Sequence, residues 1–176
     1  MQNSVQNSVQ NNAQDGAHPV TIAFDALPAM VGQELAVSDW FAVGQDRIDA
    51  FAAATDDRQW IHLDPERCRR ESPFGVPVAH GFLTLSLLPA MLGSALAIDG
   101  VRVGINYGLN KVRFPSALPA GSRVRARWTL CAAEVLAGEP ANAAARGWHL
   151  TWEVTVEPEA GARPVCVAEY LFRVYE

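Results

Sequence analysis

The stretch Val78-Ala79-His80-Gly81-Phe82-Leu83-Thr84-Leu85-Ser86-Leu87-Leu88-Pro89-Ala90-Met91-Leu92 carries apolar residues around the whole circumference of a helix instead of along one stripe. A helix of that kind is buried on all sides. No charge occurs across residues 81–98, which reaches the ~18 residues of a membrane span. Thr84, Ser86, Pro89 and Ser94 interrupt the run, however, and the strand-rich remainder needs a core. The stretch is therefore predicted to be a long buried helix at the centre of a domain, not a membrane segment.

Downstream, residues 101–114, 122–136, 147–156 and 165–174 show the alternation and the β-branched and aromatic content of strands, with Gly/Pro punctuation between them. Arg123-Val124-Arg125-Ala126-Arg127-Trp128 and Trp148-His149-Leu150-Thr151-Trp152-Glu153-Val154 alternate cleanly, so one sheet face is wet or faces a partner. Residues 136–146, rich in alanine and glycine, read as a hairpin loop. One apolar helix followed by four long antiparallel strands predicts an α+β domain whose sheet curls around the helix.

Upstream, residues 1–18 contain the polar repeat Gln-Asn-Ser-Val-Gln-Asn-Ser-Val, which cannot bury enough apolar surface to offset chain entropy. A disordered tail over 1–18 and one domain over 19–176 are expected. A strand at 20–24 and a helical turn near Leu27 come first, then a short strand at 40–43. An amphipathic helix over 45–54 presents Ile48, Phe51 and Ala52 on one face. A second helix over 65–70 and a Pro/Gly turn over 72–77 lead into the apolar stretch.

Between these helices lies Ala54-Thr55-Asp56-Asp57-Arg58-Gln59-Trp60-Ile61-His62, dense in acid, amide and imidazole groups. If the helix continued, Asp57 and His62 would stand about 140° apart around its axis and could not share a substrate. The helix is thus predicted to end near Thr55, with an irregular segment turning both side chains toward one cavity.

Thr55-Asp56-Asp57-Arg58-Gln59-Trp60-Ile61-His62, the following Asp64-Pro65-Glu66-Arg67, and Phe74-Gly75-x-Pro77-x-Ala79-His80-Gly81-Phe82 resemble the hydratase motif of MaoC-like dehydratases, a group that includes (R)-specific enoyl-CoA hydratases. A weaker likeness runs through Tyr107-Gly108-Leu109-Asn110-Lys111-Val112-Arg113-Phe114-Pro115. The resemblance implies a single hot-dog domain, a homodimer with sites near the subunit interface, and Asp57 and His62 as the catalytic pair. Two positions depart from the pattern: Asp56 stands where the family often has glycine, and Gln59 where it often has asparagine.

Adding water to an enoyl thioester needs a group to take a proton from water, a proton donor for the α-carbon, and a donor for the enolate oxygen. His62, with an ordinary pKa of about 6.5, exchanges protons near neutrality. Asp57 orients the water and relays a proton, and the Gly81 main-chain N–H is the candidate enolate donor. Which of Asp57 and His62 is base and which acid stays open. Gln59, Trp60 and His80 are candidate substrate contacts; Trp60 and His80 also read as packing residues and Gln59 as a surface residue. Lys111 and Arg113 are candidates for the coenzyme A phosphates, as are Arg123, Arg125 and Arg127. Arginines alternating along a strand also read simply as its solvated face. An acyl-CoA thioesterase and a non-catalytic acyl-CoA-binding protein are the alternatives to a hydratase.

Net charge is −5, which disfavours a nucleic-acid or anionic-membrane partner. Cys68, Cys131 and Cys166 are odd in number and widely spaced, as expected of reduced thiols in a cytoplasmic protein. No Lys or Arg precedes Arg47, so a secretory leader is not expected. Phosphate loops, nucleophile elbows and zincin motifs are absent from the sequence. His62, Asp64 and His80 match no familiar metal spacing. No metal or redox cofactor is expected, coenzyme A entering only as part of the substrate.

Overall fold

Strand alternation in the second half builds the sheet. The computed structural model describes residues 19–136 and 146–176, so the expected 1–18 tail and nearly all of the expected 136–146 loop lie outside the described residues. Four long strands follow the predicted ones closely: β5 (Val103–Arg113), β6 (Ser122–Leu136), β7 (Gly147–Pro158) and β8 (Cys166–Tyr175). Earlier come β1 (Val20–Ala23), a 3-10 turn (Phe24–Met30), β2 (Glu34–Val37) and β3 (Phe41–Val43). The helices are α1 (Gln45–Thr55), α2 (Trp60–Leu63), α3 (Pro65–Glu71), α4 (Gly81–Ser86) and α5 (Leu88–Ala95), and β4 (Leu96–Asp99) follows them. β2 and β4 were not foreseen, being only four residues each with no clean alternation.

The main sheet is antiparallel in the order β2-β6-β7-β8-β5, and β3 pairs with β6 beyond the end of β2. β1 and β4 form a separate parallel pair. The register sets Trp128 opposite Val154 and Leu130 opposite Trp152. With Val124, Ala126, Leu150, Val156, Tyr170 and Val174, these side chains make the buried inner face. Onto it pack Leu83, Leu88, Met91, Leu92 and Ala95 from α4 and α5. This is the α+β hot-dog arrangement expected, a sheet around a central helical segment.

That segment differs from the expected helix in two ways. The helix breaks at Leu87, because Pro89 has no N–H to give the Leu85 carbonyl four residues back. It is also not buried all round, since Phe82, Ser86, Pro89, Ala90 and Gly93 form an exposed stripe. No helix among the described residues is long and apolar enough to cross a membrane.

On the outer face, Arg123 pairs with Glu159, Arg125 with Glu157, and Arg127 with both Glu157 and Glu34. The arginines of β6 are therefore its solvated face, each engaged by a carboxylate. Exposed pairs of this kind contribute little to stability.

Candidate active site

The end of α1 starts the site. Asp56 caps it in the left-handed region, φ 59° and ψ 12°, a conformation that glycine, asparagine and aspartate adopt most readily at a helix C-terminus. The departure from glycine thus keeps the backbone turn, and the Asp56 side chain points outward to within 3.8 Å of Arg58. The helix ends at Thr55 as expected, and Asp57–Gln59 cross to α2 without helical structure. Pro65 opens α3, and the Asp64 side chain accepts from the Arg67 N–H at 2.9 Å, so Asp64 is a helix cap and not part of the site.

Residues 78 and 79 are laced between two elements. The Val78 N–H donates to the Ile61 carbonyl at 3.1 Å and the Ala79 N–H to the Leu118 carbonyl at 2.7 Å. This brings the Val78 carbonyl to 2.6 Å from His62 Nδ1. A carbonyl only accepts, so Nδ1 carries the hydrogen and Nε2 keeps its lone pair. Burial is the main reason the His62 pKa lies below 6.5, and neighbouring His80 pushes the same way; the Val78 bond and the Asp57 carboxylate pull against them. His62 is accordingly a neutral base at pH 7.

His80 lies face to face with His62, ring centroids 3.6 Å apart and planes 24° from parallel. Its Nε2–H donates to the Asp57 main-chain carbonyl at 2.9 Å, and its Nδ1 is buried with no hydrogen-bond partner among the described residues. Phe51 of α1 covers the ring at 5.1 Å. At 3% exposure, His80 is enclosed by the protein. The Asp57 side chain is 53% exposed. One ligand-type atom each of Asp57, His62 and His80 lies within 4.8 Å of the others.

Two imidazoles and a carboxylate so close invite comparison with a zinc site, where donors converge at about 2.0–2.2 Å. The fit is poor. Each ring already commits one nitrogen as a donor, His62 Nδ1 to the Val78 carbonyl and His80 Nε2 to the Asp57 carbonyl. The set is better suited to moving protons.

Gly81 opens α4, and a Cβ built there would sit 2.8 Å from the Phe114 ring. Gly81 is thus required for close packing as well as offering its N–H, which has no protein partner among the described residues. Gly81→Ala should displace the Phe114 ring and lower stability by about 1–3 kcal/mol, read as a fall in Tm.

The remaining candidates scatter. Gln59 is exposed at the start of α2. Trp60 is turned toward α3, the Arg67 guanidinium lying 4.3 Å above its ring. Lys111 sits at an irregularity of β5 with φ 52° and pairs with Glu169. Arg113 is exposed beside Phe114 and hence near the start of α4. An apolar cavity of about 240 Å³, lined by Leu92, Leu96, Ile98, Val101, Tyr170 and Phe172 among others, shares no lining residue with the histidine pair. Sequence reasoning missed the Val78 carbonyl and the Phe51 ring. A main-chain acceptor has no residue signature, and Phe51 reads only as a core position.

Residues 26–146 match the family model described as MaoC like domain. The chain is 46% identical over 147 residues to 3-hydroxyacyl-thioester dehydratase Z of Mycobacterium tuberculosis, covering 84% of this chain and 92% of that one. It is 47% identical over 149 residues to Nodulation protein N of Rhizobium leguminosarum bv. viciae, covering 82% and 86%. Among solved structures, the (R)-hydratase from A. caviae involved in PHA biosynthesis superposes with TM-score 0.57 at 25% identity, covering 81% of this chain and 94% of that one. The MaoC-like dehydratase from Rhodospirillum rubrum shares the fold with TM-score 0.64 at 24% identity, covering 83% and 92%.

Proposed function

Because the chain belongs to the MaoC-like dehydratase family, a family of hydratases and dehydratases, we propose that it reversibly adds water to a trans-2-enoyl-CoA to give a (3R)-3-hydroxyacyl-CoA. The observation that supports this most is the His62 tautomer. With Nδ1–H fixed on the Val78 carbonyl, the Nε2 lone pair is kept for a proton, and the Asp57 carboxylate stands within a water's reach.

A water held between these groups loses a proton to the pair as its oxygen bonds to C3. The electrons of the C2–C3 bond move into the thioester, whose oxygen takes a hydrogen bond from the Gly81 N–H. C2 then receives a proton from the pair, restoring the carbonyl. Protons and electrons balance without a metal or redox cofactor. Arg113 would meet a coenzyme A phosphate and Gln59 would stand at the entrance, readings supported by the exposure of both residues and by the place of Arg113 next to Phe114. Lys111 joins it only by leaving Glu169. β5 is an edge strand with Val103, Ile105, Tyr107 and Leu109 exposed, a surface that suits a second copy of the chain.

Crotonyl-CoA hydration, followed as loss of enoyl absorbance, tests the reading. The expected result is turnover to a product that an (R)-specific dehydrogenase oxidises. Free thiol in place of hydration would point to a thioesterase; binding of short and long enoyl-CoAs without turnover would point to a non-catalytic protein.

A further inference from the structure

We propose that His80 is a positioning residue that holds Asp57 and His62 one water apart, acting through both partners and touching no substrate. The inference rests on the hydratase reading above. Among the described residues no hydrogen bond joins the Asp57 side chain to His62, although their polar atoms lie within 4.8 Å. A single water at about 2.8 Å from each group spans that gap.

Asp57 lies in an irregular segment whose own main-chain bonds, Arg58 N–H to the Asp56 carbonyl and His62 N–H to the Gln59 carbonyl, leave the Asp57 carbonyl free. His80 Nε2–H takes that carbonyl from 23 residues away and fixes residue 57 itself. The other face of the same constraint is the stacked ring. The His62 ring lies against the flat His80 ring, and Phe51 of α1 packs on His80 in turn. The groups around the His80 ring are thus Phe51 from α1, Asp57 from the loop and His62 from α2. Its Nδ1 is left buried and unpaired, which is costly for a residue that only fills space. What the histidine supplies is an Nε2 donor and a flat face, one for each member of the pair.

Two substitutions separate these contributions. His80→Gln keeps an amide N–H near the Nε2 position, and His80→Phe keeps a flat ring without a donor. His80→Phe should lower kcat by on the order of 10²-fold with KM changed less than about twofold, since misplacement of about 1 Å costs that much. His80→Gln should recover about tenfold of the loss. NMR titration of the His62 ring provides a readout independent of turnover. In wild type His62 should carry its hydrogen on Nδ1, and in His80→Phe its midpoint should move up, the second imidazole having gone.

If both variants retain kcat within about threefold while the wild type is active, the proposal is overturned and the hydratase reading stands. It is overturned equally if Gln and Phe lose the same activity with KM rising in step, the mark of general packing damage. If the wild type is inert but the His62 midpoint moves as expected, the hydratase reading fails and the hold of His80 on the pair stands. Should His80→Phe fail to fold, the same comparison is made on His80→Gln, whose NMR spectrum must keep the His62 tautomer.

Discussion

Asp57→Asn should reduce hydration of crotonyl-CoA by about 10²–10⁴-fold while the protein stays folded. The side chain that is lost makes no close structural contact. The carboxylate is half exposed and 3.9 Å from His80 Nε2. What anchors the loop is the main-chain carbonyl of Asp57, which the substitution leaves in place. Asparagine matches aspartate in shape but can neither relay a proton nor carry the charge that orients the attacking water. A steady-state assay beside a thermal melt separates the two effects: kcat should collapse and Tm should stay within a few degrees. A variant within tenfold of wild type would remove Asp57 from the chemistry.

His62→Gln should be equally damaging to turnover, and here stability suffers as well. His62 is 6% exposed and donates to the Val78 carbonyl. Losing that bond leaves a buried acceptor unmatched, at about 1–3 kcal/mol. The wild type should report the same residue through pH. Burial and His80 set its folded pKa below 6.5, the value of an unfolded chain. The base form therefore persists at pH 7, and the acid limb of kcat/KM for the free enzyme should fall below pH 6.5. Stability follows the same sign. The unfolded chain binds a proton at a higher pH than the folded one, so this contribution is complete above about pH 6.5. It is lost as pH drops from there through the lowered folded value. Melting temperatures and kcat/KM measured from pH 7.5 to 5 check both statements. An acid limb above 6.5 would contradict a buried neutral His62.

Much of this was legible in the residues themselves. The alternation through Arg123-Val124-Arg125-Ala126-Arg127-Trp128 separates the inner and outer faces of β6, because successive side chains of a strand point to opposite sides. The end of α1 near Thr55 followed from geometry, since a helix could not bring Asp57 and His62 together. The break near Pro89 is carried by one residue within the apolar run. An apolar run dominates a hydropathy pattern even where one missing N–H interrupts the ladder.

What the chain determined by itself is therefore local: strand faces, helix ends and the chemical types gathered between Thr55 and His62. Tertiary structure alone decided that the Val78 carbonyl, 16 residues on, selects the His62 tautomer. It alone set His80 on the imidazole face, and Phe114 where a Gly81 side chain would be. It also decided that the outer arginines meet glutamates. The physical reason is range. Periodicity of 2 or 3.6 residues fixes which way a side chain faces on its own element. Which distant groups meet depends on the path of the chain between elements and on the close packing of the core, and neither is written in any single segment.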